Sequence, residues 1–547
     1  MSYQKQLFIA RLLAILCAVF PAFASGSDAM PNTASDASAT STSHSTAATT
    51  ATSLAELTLL EAIRTTIVNN SQLKIGAVVV DIAEQSIEVE EGAFDTIITA
   101  SGSASATENP TPITDVQVIS VDNEAQTITA GMQRRLKSSA IFDFNVSSNT
   151  SGDEAMGIAA NQAGTTIAAL TVTYPLWRGR GEYLTTLRLK LAKLEFEATN
   201  NDLRHQNDLS ILTTVRNYWN YRGASETLEF LRQSEQRSKT LLGQINKLVA
   251  ADELTRAELG VIEAQVSQRT GSRLAGEQSL IQNQASLASS LGIYLMTDTE
   301  SHKPVTELPD PRLNQATLTS LTGGKLLPYI LQNRKDFAAI DGRIEIADRT
   351  LDLASDATKP TLNLVVGGQY RTFEQNDDLL SSIDAPTYGP DWSVQLNYNW
   401  SLNQISAKAN QRIAVLGTER RTIERDELLR AAEVDFNAAS FSLLQAFRRY
   451  SEAVERESLS QKNVQNEKRK FLLDESTLLD VLNVEDQLLQ AQVDVISQRV
   501  GYATSLANVM FLSGYLSQLG NDAIREADLK RADLFVSELK RNLTASP

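Results

Sequence analysis

The chain has 547 residues, enough for several domains, and it is acidic, with a formal net charge of −16 at pH 7. It contains no basic cluster of the kind that nucleic-acid binding requires, which argues against nucleic acid as a partner. The chain has one cysteine, so no disulfide can form within it.

The N-terminus, residues 1–24, predicts an export signal, because positive charge precedes an apolar run at 12–20 and a small-x-small cleavage site. That run is too short to span a bilayer as a helix. Leu16 stands before Cys17, where a lipoprotein attachment site needs a small residue, so we expect no lipid anchor. Residues 25–53 are rich in Ser, Thr and Ala and predict a flexible leader.

Beyond the leader, the sequence indicates two copies of one architecture, each with a helix, two strands and a long helical hairpin. The stretch "NNSQLKIGAVVV" matches "NRKDFAAIDGRI", and further along "YPLWRG" matches "WSLNQI". We place the first copy at 54–303, a linker at 304–324, the second copy at 325–514 and a polar C-terminal tail at 515–547.

Period-two alternation predicts two strands in each copy. These lie at about 94–106, 165–177, 361–373 and 391–403. The first copy also has an additional segment at 109–163, because its two strands are further apart than those of the second copy. This segment shows signs of a further hairpin, and the residues leave open whether it extends the strands or forms an extracellular loop.

The clearest strand, "WSVQLNYNWSLN", has one apolar face and one polar, uncharged face. Trp392, Leu396 and Trp400 lie on the apolar face. A soluble antiparallel sheet and a membrane β-barrel can both produce this alternation. The tryptophans bracket a span close to the ~9–11 residues that a tilted strand needs to cross a bilayer, and aromatic side chains suit the headgroup regions.

Two long proline-free intervals, one in each copy, predict helical hairpins. Leucine and alanine residues in them follow the 3-4 spacing of coiled-coil packing, and charged and amide side chains fill the other faces. Each interval has one break. There Thr255 followed by Glu258, and Thr477 followed by Asp480, predict a capping box where a new helix begins.

Four strands cannot close a barrel, because the smallest membrane barrels have about eight. An open edge in lipid leaves backbone groups unpaired at a cost of several kcal/mol each, so several chains must share their strands. The motifs "LTLLEAIRTTIVNNSQL", "GAFDTIITAS", "YPLWRGRG" and "LLDVLNVEDQLLQAQ", in this order and spacing, resemble the TolC-like outer-membrane efflux proteins (outer membrane factors). The resemblance covers residues 54–514.

This resemblance implies a mainly α fold with transmembrane β-strands and two structural repeats per chain. It implies a homotrimer whose twelve-stranded outer-membrane β-barrel is continued by a long periplasmic α-helical barrel. It further implies docking to a periplasmic adaptor (membrane fusion) protein and, through it, to an inner-membrane transporter. The expected location is the outer membrane, in contact with its lipid, with the helical domain in the periplasm.

By the same resemblance, the functional site is the narrow periplasmic end of the helices. Asp480, Asn483 and Glu258 match positions that line or close this pore in the family. Asp480 has two interpretations. Three symmetry-related carboxylates around a narrow pore would attract cations and repel anions, or the side chain simply caps a helix.

The hairpin turns are candidate adaptor contacts, or solvated tips. Their acidic residues are Asp474, Glu475 and Glu253. Ser476 and Phe471 stand where some family members have a basic residue and a tyrosine that link the helices. We therefore expect the closing links to differ from those of these members.

The sequence contains no catalytic constellation, and we expect no enzyme activity, no cofactor and no metal. The histidines, His44, His205 and His302, are expected to be solvated. The predicted function is a passive exit duct of a tripartite efflux or type I secretion system. The alternative is an exported coiled-coil scaffold or adaptor that is not membrane-inserted, whose strands would pack as a small soluble sheet.

Overall fold

The computed structural model describes residues 56–114, 117–155, 158–159, 163–251, 255–294, 303–311, 326–375, 381–383, 385–473 and 475–516. All of them belong to one compact unit, Leu54–Pro547. The predicted signal and leader lie outside the described residues, as do most of the predicted linker and nearly all of the C-terminal tail.

Helices make up most of the described chain. In chain order they are α1 (Leu59–Asn69), α2 (Ser71–Glu91), α3 (Glu182–Thr185), α4 (Leu187–Ala250), α5 (Arg256–Leu291), α6 (Leu327–Asn333), α7 (Lys335–Asp356), α8 (Ile405–Leu472) and α9 (Leu478–Leu512). In the described ranges, none of these helices is both long enough and apolar enough to cross a membrane.

The strands lie between these helices. In chain order they are β1 (Glu56–Leu57), β2 (Thr96–Thr114), β3 (Gln117–Arg135), β4 (Ile141–Ala155), β5 (Ile158–Ala159), β6 (Ala163–Pro175), β7 (Lys303–Pro304), β8 (Thr361–Glu374) and β9 (Thr387–Asn399). The long strands form one antiparallel sheet in the order β2-β3-β4-β6-β8-β9, and β5 pairs with the end of β4. The short β1 and β7 form a separate parallel ladder.

The long helices form two antiparallel hairpins, α4–α5 and α8–α9, which pack side by side through α4 and α9. Nearer the sheet, α2 packs on α4, and α7 packs against both α4 and α8. The described helical layer is therefore four helices wide at both levels. The order is α2-α4-α7-α8 near the sheet and α5-α4-α9-α8 near the hairpin turns.

The main hydrophobic core lies midway along the long helices, where α1, α6 and the β1–β7 ladder cover them. Tyr218 and Trp219 of α4 are fully buried there, together with Tyr502 of α9. The Tyr218 hydroxyl donates to the Leu57 carbonyl oxygen at 2.8 Å and accepts from the Thr306 backbone N–H at 3.0 Å. This core fixes the two hairpins to each other at their midpoint.

The sheet differs from the four strands expected from the sequence, because the additional segment contributes β3 and β4 to its middle. β3 pairs with β2, and β4 pairs with β6. The alternative left open by the sequence is thus decided in favour of the sheet, since the segment carries a period-two pattern that pairs along its length. The last strand ends at Asn399, so Trp400 lies just beyond β9 rather than within it.

Candidate functional site

The sheet register sorts its side chains into two faces, because residues two apart along a strand point the same way. One row across the sheet takes one residue from each long strand. This row is Ile98, Met132, Phe144, Leu170, Gly368 and Trp392. The next row on the same face, nearer the helices, is Thr96, Arg134, Phe142, Val172, Val366 and Val394. In these rows the face is predominantly apolar on β3 and β4, the strands of the additional segment, as well as on the others. Farther from the helices the same face carries Ser148, Thr166 and Thr372.

The opposite face of the sheet is polar and linked by hydrogen bonds. Gln133 and Asn145 donate to the Asp143 carboxylate at 3.3 and 3.2 Å. Gln369 of β8 donates to Asp391 of β9 at 3.4 Å. This polar face therefore offers hydrogen-bond donors and acceptors to water.

The apolar face is exposed. Trp392 is 80% exposed and Leu396 62% exposed, and both lie on this face as the alternation predicts. Trp400, which follows the strand, is also exposed. At the helix end of the sheet the Trp177 and Tyr398 rings meet edge to face at 6.0 Å. A soluble sheet would bury such a face against a core, whereas Trp392 and Leu396 stay exposed in the described part of the chain. Residues 381–383 cover only the part of this face farther from the helices, over Ser148 and Thr166.

The two hairpin turns lie side by side and share a small apolar cluster. Ile245 and Ile262 of the first hairpin are buried against Leu478 and Leu482 of the second, with Phe471 packed beside them. The cluster places the starts of α5 and α9 next to each other. The residues predicted for the pore end are arranged around it.

Asp480 closes the predicted capping box at the start of α9. Its Oδ2 accepts from the Thr477 backbone N–H at 3.2 Å and from the Thr477 hydroxyl at 2.6 Å, while the Asp480 N–H donates back to Thr477 Oγ1. These hydrogen bonds from Thr477 lower the pKa of the Asp480 carboxyl. The side chain is exposed and remains an anion at neutral pH.

The capping box predicted at Thr255 and Glu258 is wrong. Thr255 occupies the N-cap of α5, but its side chain makes no capping hydrogen bond. The Oε2 atom of Glu258 is instead buried without a hydrogen-bond partner among the described residues. Helix position alone does not choose between these two orientations, because both leave Glu258 in the first turn of the helix.

The remaining residues predicted at this end lie on the surface or outside the described ranges. Asn483 and Glu475 are exposed, whereas Asp474 and Glu253 fall in the turn segments that are not described. Two leucines that the sequence analysis did not select, Leu473 and Leu479, project from the second turn and are 69% and 57% exposed. The tip of this hairpin thus presents apolar as well as acidic groups.

Ser476 does not link the two hairpins. Its hydroxyl donates to Glu467 of α8 at 2.5 Å, and Lys470 binds the same carboxylate at 3.1 Å. The hydrogen bonds from Ser476 and Lys470 lower the pKa of Glu467. This network therefore stabilises the turn of the second hairpin itself.

A link between the hairpins lies further from the turns. Arg269 of α5, with a side chain only 7% exposed, forms an ion pair with Asp486 of α9. Gln265, one turn earlier on α5, donates to the same Asp486 Oδ1 at 2.8 Å. We call Arg269, Gln265 and Asp486 the interhairpin clasp. Sequence analysis missed it, although the i, i+4 spacing of Gln265 and Arg269 places them on one helix face.

His205 is partly buried, with a side chain 28% exposed, whereas the sequence analysis expected it to be solvated. On α4 its ring packs against that of Phe511, with the centroids 5.6 Å apart and the planes tilted by 39°, and its Nδ1 lies 3.9 Å from Asp336 Oδ1. Burial lowers the pKa of His205, although the Asp336 carboxylate acts in the opposite direction. His44 and His302 lie outside the described residues.

Comparison with solved structures identifies the fold. The outer-membrane channel OprN matches with a TM-score of 0.61 and 14% identity, over 83% of this chain and 89% of that chain. The CmeC outer-membrane channel of Campylobacter jejuni matches with a TM-score of 0.59 and 15% identity, over 89% and 90%. The MtrE outer-membrane channel of Neisseria gonorrhoeae, in its open state, matches with a TM-score of 0.58 and 15% identity, over 83% and 88%.

The sequence matches no protein-family model and no curated protein. The structural matches nevertheless cover most of this chain and most of each solved channel. The chain therefore has the mainly helical fold with a β-sheet portion that these outer-membrane channels share, as the sequence resemblance implies.

Proposed function

We propose that this chain is the subunit of an outer-membrane channel and serves as the passive exit duct of a tripartite efflux or type I secretion system. The observation that carries the proposal is the two-faced sheet. Its apolar face is exposed along Trp392, Val394 and Leu396, and its other face is polar. Lipid on one side and water on the other is the environment that satisfies both faces.

The edges of the sheet support assembly from several copies. In the described part of the chain, β2 and β9 each have a partner on one side only, and they run in opposite directions. Unpaired edges cannot face lipid, so β2 of one copy pairs with β9 of the next in a closed ring. We take three copies, the number that the family resemblance implies.

The helices next to these edges support the same interface. α2 leads into β2, and α8 follows β9, so each edge of the sheet continues into an outer helix of the layer. Both helices carry exposed apolar side chains. On α2 these are Ile75, Val78, Val79, Ile82 and Val89, and on α8 they include Ile413, Leu416, Ile423, Val434 and Phe441. A neighbouring copy would bury both sets.

The hairpin turns are proposed to face the periplasm and to contact an adaptor, which connects the duct to an inner-membrane transporter. Leu473, Glu475 and Leu479 offer the mixed apolar and acidic surface that such a contact requires. The duct performs no chemistry in this proposal, and the inner-membrane partner supplies the energy. Asp480, Asn483 and Glu258 are proposed to line the periplasmic pore.

Membrane fractionation and electrical recording test the proposal together. We expect the full-length protein in the outer-membrane fraction, heat-modifiable migration of the assembly, and ion currents when purified material is added to a planar bilayer. A chain that stays monomeric, dissolves without detergent and passes no current would instead be the exported scaffold, and the channel proposal would fail.

A further inference from the structure

The inserted hairpin, β3–β4, is part of the sheet over its whole height. β3 pairs continuously with β4 from Val121 opposite Ala155 to Arg135 opposite Ile141. β4 then pairs with β6 from Ile141 opposite Thr173 onwards. The hairpin therefore separates β2 from β6, which would otherwise be neighbours.

Its side chains are in phase with the rest of the sheet. Met132 and Phe144 of the hairpin lie in the apolar row between Ile98 of β2 and Leu170 of β6. A shift of one residue would place these side chains on the polar face, so the register is specified by the faces themselves. A hairpin that served as an external loop would have no need of this agreement.

Side-chain hydrogen bonds connect the hairpin to neighbouring segments at two heights. At the helix end, the Gly181 N–H donates to Ser139 Oγ in the β3–β4 turn at 3.3 Å. Near the middle of β4, Ser382, in the connection between β8 and β9, is fully buried and lies within hydrogen-bonding distance of Thr166 of β6 (2.7 Å) and Ser148 of β4 (3.2 Å). β4 pairs with β6 from Ile141 to Ser151, and the hairpin continues beyond the end of β6 at Ala163.

We infer that each subunit contributes six strands to the membrane wall instead of four, so that three copies close an eighteen-stranded barrel through β2 and β9. This inference rests on the proposed function for the ring and the number of copies. At a strand spacing of ~4.8 Å and a tilt of ~40°, eighteen strands enclose a barrel about 36 Å across, against about 24 Å for twelve. The cross-sectional area is larger by about 2.2-fold.

The width of the helical layer agrees with six strands. Four helices at ~8–10 Å between axes cover an arc of about 32–40 Å. Six strands at the same spacing and tilt cover about 38 Å, whereas four cover only about 25 Å. The inserted hairpin therefore lets the strand wall continue the helical wall without narrowing, and it leaves the hairpin turns as the constriction of the duct.

Electron cryomicroscopy of the intact assembly, viewed along its axis, tests the inference, with native mass spectrometry to count the subunits. We expect six wall strands for each subunit. A closed ring with four strands for each subunit, and the hairpin outside the wall, would overturn the inference but leave the proposed function standing. A chain that forms no ring would overturn both.

Cysteine labelling gives an independent test, because the only cysteine, Cys17, lies in the predicted export signal. Met132→Cys and Gln133→Cys probe the two faces of β3, and Leu170→Cys and Thr171→Cys are the matched controls on β6. In outer membranes we expect a water-soluble maleimide to label Gln133→Cys and Thr171→Cys at least tenfold faster than the other two. Rapid labelling of Met132→Cys, with Leu170→Cys still protected, would place the hairpin outside the wall. Rapid labelling of Leu170→Cys as well would contradict membrane insertion itself.

Discussion

Asp486→Asn tests whether the interhairpin clasp holds the periplasmic end of the channel closed. The substitution keeps the shape of the side chain but removes the charge that faces Arg269, whose side chain is only 7% exposed. Breaking a fully buried pair costs ~3–5 kcal/mol and breaking an exposed pair less than ~1 kcal/mol. Because the Asp486 side chain is 40% exposed, we expect an intermediate loss of about 2 kcal/mol per subunit.

That loss has a measurable consequence if the end opens by separation of the two hairpins. A change of about 2 kcal/mol increases the separated population by about 30-fold, since each ~1.4 kcal/mol is a factor of ten. Single-channel recording in planar bilayers measures this as a higher open probability. The double variant with Arg269→Asp and Asp486→Arg should recover part of the closure, because it restores opposite charges.

Asp494→Asn is the matched control. Asp494 lies on the same helix and pairs with Arg456 of α8 at 2.7 Å, within the second hairpin instead of between the hairpins. We expect its open probability to remain close to that of the unmodified protein. Equal behaviour of Asp486→Asn and Asp494→Asn, or an unchanged open probability in Asp486→Asn, would refute the role of the clasp.

Three further substitutions test other parts of the structure. Asp480→Lys should lower the cation preference of the pore, measured as the reversal potential in a salt gradient, and an unchanged potential would leave Asp480 as a helix cap only. Leu396→Arg should block outer-membrane assembly, because a cation on a lipid face costs ~2–4 kcal/mol near the bilayer midplane. The control Asn397→Arg, on the polar face, should assemble. Equal amounts of the two variants in outer membranes would contradict the assignment of the faces. Gly292→Ala should destabilise the fold by about 2 kcal/mol or more, since Gly292 has φ +67° and an added Cβ would lie 2.6 Å from the Asn69 carbonyl oxygen. Gly243→Ala is the control, because the space around Gly243 is open, and it should be neutral or stabilising by up to ~1 kcal/mol. Thermal unfolding of both variants measures these changes.

In the proposed assembly of six-stranded subunits, the duct has a wide part and a narrow part. The strand wall and the neighbouring helices have similar arcs, so neither restricts passage. Control of the opening then falls to the hairpin turns, where the apolar cluster and the interhairpin clasp hold α5 and α9 together. Variants in the sheet should therefore affect assembly, whereas variants near the turns should affect gating.

Local patterns in the sequence determined much of this protein. Two long intervals without proline, with leucine and alanine at 3-4 spacing, predict both long hairpins. The predicted break in each interval falls where α5 or α9 begins. Thr477 and Asp480 form the predicted capping box, because its partners are three residues apart and meet within one helical turn. Period two predicts which face of β9 is apolar, since a strand alternates its side chains whatever surrounds it.

Tertiary structure decided what depends on contacts between distant segments. The sequence did not show that the additional segment joins the sheet, because any two-faced hairpin can pair or remain free. Nor did it distinguish a buried Glu258 carboxylate oxygen from a capping one, since both orientations leave the residue in the first turn of α5. The clasp joins Arg269 to a residue 217 positions away, and only the packing of two separate hairpins brings these charges together.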